Sequence, residues 1–240
     1  MNGLPVRLKI ASVGGFSGGG FTGQFTNATV RVKNIAFIKE VTLHYKNNGA
    51  WMDESLAWKA QFGNYDLFSV TKSELIEEFV IRYSTAGQTF WDNNGGWNYR
   101  FAGRAALIGG NVALSKATAK RGTQAGGGFV FDTSWIEGEI FVSNLSFGKS
   151  VGIRLTVDGG ATWSDVPAGF GSSGTGSSGI GDPSAAEIWK FKSPELNFNP
   201  VASEFRFAVF YRNLATGEAF WDNNFAQDYK VSKANGSTIE

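Results

Sequence analysis

The chain of 240 residues has no cysteine and a single histidine, His44. Without thiols there is no disulfide framework, no catalytic cysteine and no Cys/His metal cluster, so neither a metal nor a cofactor is expected. Proline is scarce, at 5 residues, and helical periodicity is nowhere sustained. No apolar run approaches the roughly 20 residues that cross a bilayer, and Met1 is not followed by a charged leader and apolar stretch. The chain therefore reads as a soluble fragment of a longer protein, with no membrane partner. An excess of charge is missing as well, with 22 Lys+Arg against 21 Asp+Glu. That balance offers neither a basic field for nucleic acid nor an acidic one for cations.

What the chain does have is 32 glycines, 21 phenylalanines and a repeat. Glycine-rich turns between aromatic, alternating segments indicate strands. Phe90-Trp91-Asp92-Asn93-Asn94 recurs as Phe220-Trp221-Asp222-Asn223-Asn224. Gly18-Gly19-Gly20-Phe21 matches Gly126-Gly127-Gly128-Phe129, and the segment from Val30 to Val41 matches Ile140 to Val151, with Asn34/Asn144, Phe37/Phe147 and Lys39/Lys149 identical. Further along, Trp51 falls on Trp163, Phe79 and Tyr83 on Phe207 and Tyr211, and Tyr99 on Tyr229. The second copy carries a net insertion, for which the Gly/Ser-rich tract near 169–185 is the candidate, and such a tract should be a mobile loop.

The matched segments alternate at period two, as half-buried strands do. Val41, Leu43 and Tyr45 share one face, which turns Thr42 and His44 to solvent and leaves His44 without a role. Several short strands with turns between them, twice over, predict an all-β chain of two β-sandwiches in tandem. The first module is placed at 1–103 and the second at 104–240, with the join near Ala102 to Gly110.

Each copy of the repeated motif sets an indole beside consecutive carboxamides, which suits an uncharged, hydroxyl-rich ligand such as sugar. In a strand, Phe90 and Trp91 face opposite sides, so one enters the core and the other leaves it. With Phe90 and Phe220 inward, Trp91 and Trp221 can cover the C–H face of a sugar ring. Hiding roughly 60 to 100 Å² at about 25 cal/mol per Å² supplies on the order of 2 kcal/mol per ring. Two such contacts give only about millimolar binding. The competing reading makes each Trp a core residue closing the sandwich edge. Asn93, Asn94, Asn223 and Asn224 could bond vicinal hydroxyls, yet they are also turn formers. Asp92 and Asp222 read as loop formers or hydrogen-bond acceptors beside the indoles. Trp51 and Trp163 each follow a hairpin signal, which places them at loops.

Phe37 and Phe147, each two residues before Lys39 or Lys149, offer a second contact surface, though a strand Phe usually lies in the core. Trp58 is matched with Trp189. Catalysis has little support. Glycoside hydrolysis needs two carboxyls across the scissile bond, and the recurring acids reduce to Asp53/Asp165 and Asp92/Asp222, in polar loop sequence. The chain is therefore expected not to be an enzyme.

The segments Val30 to Phe37 and Phe90-Trp91-Asp92-Asn93-Asn94-Gly95-Gly96-Trp97-Asn98-Tyr99 resemble a family twenty-one carbohydrate-binding module, the starch- and glycogen-binding type. The first copy fits closely; the second keeps Asn144, Phe147, Lys149, Trp163 and the Trp221 to Asn224 run, with Asp228 in place of Asn98. The resemblance implies immunoglobulin-like sandwiches that bind α-1,4-glucan (starch, amylose, glycogen, maltooligosaccharides) without catalysis. It implies a first site at Trp51 and Trp91, or Trp163 and Trp221, with the following Asn residues hydrogen-bonding. A second site is implied at Phe37 and Trp58, and at Phe147 in the other copy. A tyrosine that usually adds a ring to the first site is matched by Val80 and Ala208, so the face is kept and the ring is lost. The expected role is targeting of an attached, secreted amylolytic enzyme. One alternative is a glycogen-targeting subunit of a protein phosphatase, although no basic-Val-x-Phe docking peptide occurs. The other is an adhesion or structural pair with no sugar ligand.

Overall fold

Period-two alternation becomes twenty β-strands in the computed structural model, which describes residues 3–18, 21–101, 106–173, 186–197 and 203–240. In chain order the first ten are β1 (Val6–Gly18), β2 (Phe21–Lys33), β3 (Lys39–Asn47), β4 (Ala50–Ser55), β5 (Ala57–Phe62), β6 (Tyr65–Lys72), β7 (Glu78–Thr85), β8 (Gln88–Asp92), β9 (Tyr99–Arg100) and β10 (Ala106–Ile108). The second ten are β11 (Val112–Gly126), β12 (Phe129–Ser143), β13 (Lys149–Thr156), β14 (Ser164–Ser173), β15 (Ala186–Lys192), β16 (Leu196–Asn197), β17 (Glu204–Asn213), β18 (Ala219–Asp222), β19 (Tyr229–Ser232) and β20 (Thr238–Ile239). All strand pairs are antiparallel, and among the described residues there is no α-helix.

Three sheets result, ordered β10-β1-β2-β6-β5, β4-β3-β7-β8, and β18-β17-β13-β14-β15-β12-β11-β20. The apolar faces of the first two meet in one core, where Val6, Leu8, Val30 and Val32 pack with Val41, Leu43, Phe79, Ile81 and Tyr83. A second core joins Leu114, Ile136, Ile140 and Val142 to Val151, Ile153, Phe207, Val209 and Tyr211. Each half is thus a β-sandwich. In the first, the chain breaks at buried Leu56 between β4 and β5. In the second, β14 runs through, pairing β13 at Ser164–Pro167 and β15 at 168–173, which fuses two sheets into one.

Register repeats between the halves down to the irregularities. Leu8 faces Val30 and Leu114 faces Ile140, each followed by a bulge at Lys9 or Ser115. Trp58 pairs Phe68 as Phe170 pairs Trp189, again with a bulge just after, at Lys59 or Gly171. The counterpart of Trp58 is therefore Phe170 and not Trp189, which takes the place of Phe68. This alignment also divides the insertion. The step from Trp58 to Phe68 is 10 residues against 19 from Phe170 to Trp189, and the rest of the excess lies between β15 and β17. Residues 169–173 of the Gly/Ser tract are strand rather than loop, since they continue the β14–β15 ladder; 174–185 lie outside the described residues.

The expected join at 103/104 also lies outside the described residues. Ala106–Ile108, placed by sequence in the second module, instead pair with Ile10–Ser12 and extend the first sheet, which covers an edge that would otherwise leave backbone groups unpaired. Between the halves, Tyr65 and Leu67 of β6 join the second core, and beside them lies a buried polar contact. Arg31 from β2 reaches Asp222, with its Nη1 at 3.0 and 2.9 Å from the two carboxylate oxygens, and also bonds the Tyr229 hydroxyl. Its guanidinium lies between the rings of Tyr65 and Tyr229, at 5.1 and 4.9 Å from their centroids. Arg7 adds bonds to the carbonyls of Gly109 and Val112, at 2.7 and 2.8 Å, and to that of Trp221 at 3.2 Å. Burial pushes the Asp222 carboxyl up, but Arg31, Arg7 and the Tyr229 hydroxyl outweigh it and hold it well below the usual carboxylate range.

Candidate functional site

The outer face of the β4-β3-β7-β8 sheet carries the first candidate site. Phe90 turns inward against the first core while Trp91 stands out, 40% exposed. Strand register sets His44 opposite Asp53 and Val80, and Arg82 opposite Trp91. Trp51 stacks on His44 with centroids 4.7 Å apart and planes 8° from parallel, and Trp91 meets the same imidazole edge-on at 5.9 Å. His44 thus joins the two indoles, both about 40% exposed, into one aromatic surface. Its Nδ1 is 2.6 Å from Asp53 Oδ1, and Arg82 bonds the other carboxylate oxygen at 3.2 Å while its guanidinium lies 5.9 Å from the Trp91 ring. The bond from His44, with Arg82 nearby, holds the Asp53 carboxyl below its ordinary value.

The second half rebuilds this face with different residues. Arg154 occupies the position of His44 and bonds Asp165 at 2.8 and 3.2 Å, which keeps that carboxyl below its ordinary range. Its guanidinium lies 5.3 Å from the Trp221 ring, and Arg206 lies 5.7 Å from that of Trp163, itself 40% exposed. Trp221 is half-buried and packs on Phe210 at 5.5 Å. A guanidinium packed against an indole fixes the ring without covering both of its faces. Val80 and Ala208 hold the expected outward positions and are buried beneath these groups.

Several expected ligands point elsewhere. Asp92 and Asp222 are buried: period two turns them back inward after the Trp. Asp92 Oδ2 accepts from the Leu8 amide at 2.8 Å and the Tyr99 hydroxyl at 2.9 Å; Asp222 Oδ2 does the same for Leu114 at 3.0 Å and Tyr229 at 2.6 Å. Each ties the strand beside a bulge to a late strand of its half, β9 or β19, and both carboxylates are buried. Lys39 and Lys149 are also withdrawn, their ammonium groups bonded to Asp66 at 2.8 Å and to Glu187 and Asn144 at 3.1 and 2.7 Å. Internal ion pairs hold both ammonium groups away from the surface, at 8% and 3% side-chain exposure.

The asparagines build the turn. Asn93 accepts from the Gly96 amide and Asn223 from that of Ala226, both at 3.1 Å. Asn94 and Asn224 donate to the carbonyls of Asn98 and Asp228, at 3.0 and 2.9 Å. Asn224 is buried; Asn93 is exposed, and Asn94 and Asn223 are half-exposed. The turn demands left-handed backbone, met by Gly95 at φ 70° in the first copy and by Phe225 at φ 58° in the second. Phe225 is held there by packing on the second core, so the same turn forms without glycine. Asn98 bonds Glu78, and its substitute Asp228 bonds Arg206 at 2.8 Å, so both members of the pair change together.

Phe37 and Phe147 lie in the β2–β3 and β12–β13 loops rather than in strands, and at 97% and 104% exposure neither is core. Trp58 and its register counterpart Phe170 are exposed at 60% and 56%. None of these four lies on the Trp51/Trp91 or Trp163/Trp221 face. Thr42, expected at solvent, is buried under Arg82, whose Nη2 donates to its Oγ1 at 3.2 Å. Sequence reasoning missed His44, Arg82, Arg154, Arg206 and Phe170. For His44 and Arg154 a signal existed: they fall on each other in the repeat, each opposite a recurring Asp.

A carbohydrate/starch-binding module (family 21) matches residues 123–232. Glucoamylase 1 of Rhizopus oryzae is 33% identical over 88 residues, covering 33% of this chain and 15% of that protein. Protein phosphatase 1 regulatory subunit 3C of Bos taurus is 30% identical over 96 residues, 40% of this chain and 28% of that protein. The solution structure of the carbohydrate binding module of the muscle glycogen-targeting subunit of protein phosphatase-1 aligns at 22% identity and a TM-score of 0.30, over 49% of this chain and 77% of that one. The matched stretches span less than a third of either curated relative. Modules of this family bind carbohydrate and are noncatalytic. Residues 123–232 of the chain are one carbohydrate/starch-binding module of family 21.

Proposed function

We propose that both halves are α-1,4-glucan-binding modules of the family 21 type, acting in tandem and without catalysis. The observation that carries this reading is the pair of exposed indoles joined by His44 on one sheet face, with the second half's indoles held by two guanidiniums, Trp221 by Arg154 and Trp163 by Arg206. The shared bulges and the two Asp ties support a second module at the N-terminal half. Glucose rings stack on Trp51 and Trp91, and on Trp163 and Trp221, with Asn93, Asn94 and Asn223 at the rim. Phe37 with Trp58, and Phe147 with Phe170, supply further contacts on a separate surface. Two weak sites held together raise avidity by about 10² to 10⁴ on a polymer that lets both engage. The role we assign is targeting of an attached, secreted amylolytic enzyme to starch or glycogen.

A second reading has support from the similarity to a phosphatase regulatory subunit, whose match covers more of this chain than the glucoamylase match does. It makes the chain a glycogen-targeting scaffold. Depletion from solution by insoluble starch, with cellulose as control, tests the sugar class. Stepwise loss of binding in Trp91→Ala, Trp221→Ala and the double variant supports the proposal, and equal retention by all three contradicts it. Co-precipitation of phosphatase catalytic subunit with the chain would favour the scaffold.

A further inference from the structure

The halves enclose a second feature, remote from both indole faces. A cleft of about 530 Å³ opens between them, within the range of small-ligand sites. Four lysines line it: Lys9, Lys59, Lys116 and Lys190, from β1, β5, β11 and β15. Two acids, Glu139 and Glu240, accompany them, and Lys116 is paired with Glu139 at 3.5 Å.

Bulges aim the side chains. Lys9, Ser115 and Lys59 are each the extra residue of a bulge, which re-aims a side chain that regular pleating would place elsewhere. Lys9 Nζ donates to the Ser115 carbonyl at 2.8 Å, one bulge to another across the halves. That side chain is 6% exposed, and its other two ammonium hydrogens meet no acceptor among the described residues. Lys59 and Lys190 likewise have no acceptor among the described residues. Lys9 is thus a buried ammonium with open donors, which is costly when the cleft is empty, and the exposed Lys59 and Lys190 add positive charge along the same cleft. An oxyanion with three or more acceptor oxygens satisfies all three.

We propose that the cleft between the halves binds a phosphate monoester dianion, free or carried on a sugar. Lysine serves here as a point-charge phosphate ligand. The site does not depend on the glucan reading, since none of its lysines lies on an indole face. Proton linkage follows from the surroundings of Lys9. Burial first, and then Arg31 on β2, push its amine down to about 7, with Lys59 on β5 adding to this and Glu240 and Asp222 opposing. Lys116, Glu139 and Lys190 also face the cleft. A bound dianion raises the Lys9 amine again, so binding near neutral pH takes up a proton.

Titration calorimetry on the full chain at low ionic strength tests the site, with inorganic phosphate, glucose 6-phosphate and glucose as ligands. The expected result is one saturable site for the two phosphate compounds, none for glucose, and heats that vary with buffer ionisation enthalpy. Tighter binding of glucose 6-phosphate assigns a phosphosugar, and equal binding assigns free phosphate. The double variant Lys59→Ala/Lys190→Ala should bind about tenfold more weakly or worse, with maltoheptaose binding unchanged. Lys9→Met, checked for folding by thermal melting, should abolish phosphate binding. No saturable heat with either phosphate compound, or unchanged affinity in the double variant, overturns the proposal, whatever happens with maltoheptaose.

Discussion

His44 lies flat against Trp51, their centroids 4.7 Å apart. The imidazole fixes one indole by stacking and the other by its edge, while its Nδ1 is anchored on Asp53. In the proposed function, glucan binding on this face therefore depends on a residue that positions the indoles. Aromatic contacts of this kind contribute about 0.5–1.5 kcal/mol beyond area. His44→Ala should weaken maltoheptaose binding at the first site roughly two- to tenfold and leave the second site unchanged, read by titration in a Trp221→Ala background. Unaltered affinity would mean that the indoles hold their positions unaided.

The Arg31–Asp222 pair predicts coupled unfolding. Removing one member leaves an uncompensated buried charge, at a cost of about 3–5 kcal/mol. Arg31→Met should lose about that much stability in denaturant titration and lower the cooperativity of the transition, because among the described residues only Arg7 then faces the Asp222 carboxylate across the halves. Arg31→Met combined with Asp222→Asn should recover part of the loss. Identical curves for the single variant and the parent would show that the halves are joined by other contacts.

Lys9 sets a pH dependence. Its folded-state amine lies near 7, below the ordinary lysine value, so the unfolded chain binds more protons between those two limits. Stability should accordingly rise with pH above about 7 at up to about 1.4 kcal/mol per unit. The rise ends near pH 10, where burial of Tyr65, Tyr99 and Tyr229 disfavours their ionisation and costs stability. Lys9→Met should flatten the slope between pH 7 and pH 10 in chemical denaturation. A flat parent curve over that window contradicts the buried placement of the amine.

The second turn stores strain at Ala226, an exposed residue at φ 64°. Ala226→Gly should stabilise the second half by about 1 kcal/mol, since the left-handed conformation costs a Cβ-bearing residue about that much. A thermal melt that moves down instead would place the turn in another conformation.

Much of this was legible from the sequence, and what was not has identifiable causes. Period two correctly turned Phe90 inward and Trp91 outward, and the repeat located both faces. The same period, carried one residue further, buries Asp92, yet its polar neighbours made it look like loop. Thr42 and His44 were read as solvent-facing by alternation alone, which cannot see Arg82 folding over one and Trp51 over the other. Trp58 was matched with Trp189 through an identical Trp-Lys step. Strand register, set by a bulge that no residue type announces, pairs Trp58 with Phe170 instead. Lys39 and Lys149 sit in identical positions because each closes an internal ion pair, a structural reason for a repeat that resembles a functional one.

The central claim is that exposed indoles on both halves grip glucan. The side-chain Nε1–H resonances of Trp51, Trp91, Trp163 and Trp221, followed in ¹⁵N-labelled chain during maltoheptaose titration, test it most directly. The account predicts that all four shift with saturation at about millimolar concentration, while that of Trp135, which donates to Glu137 at 3.2 Å, stays in place. Four stationary resonances at saturating sugar would contradict it.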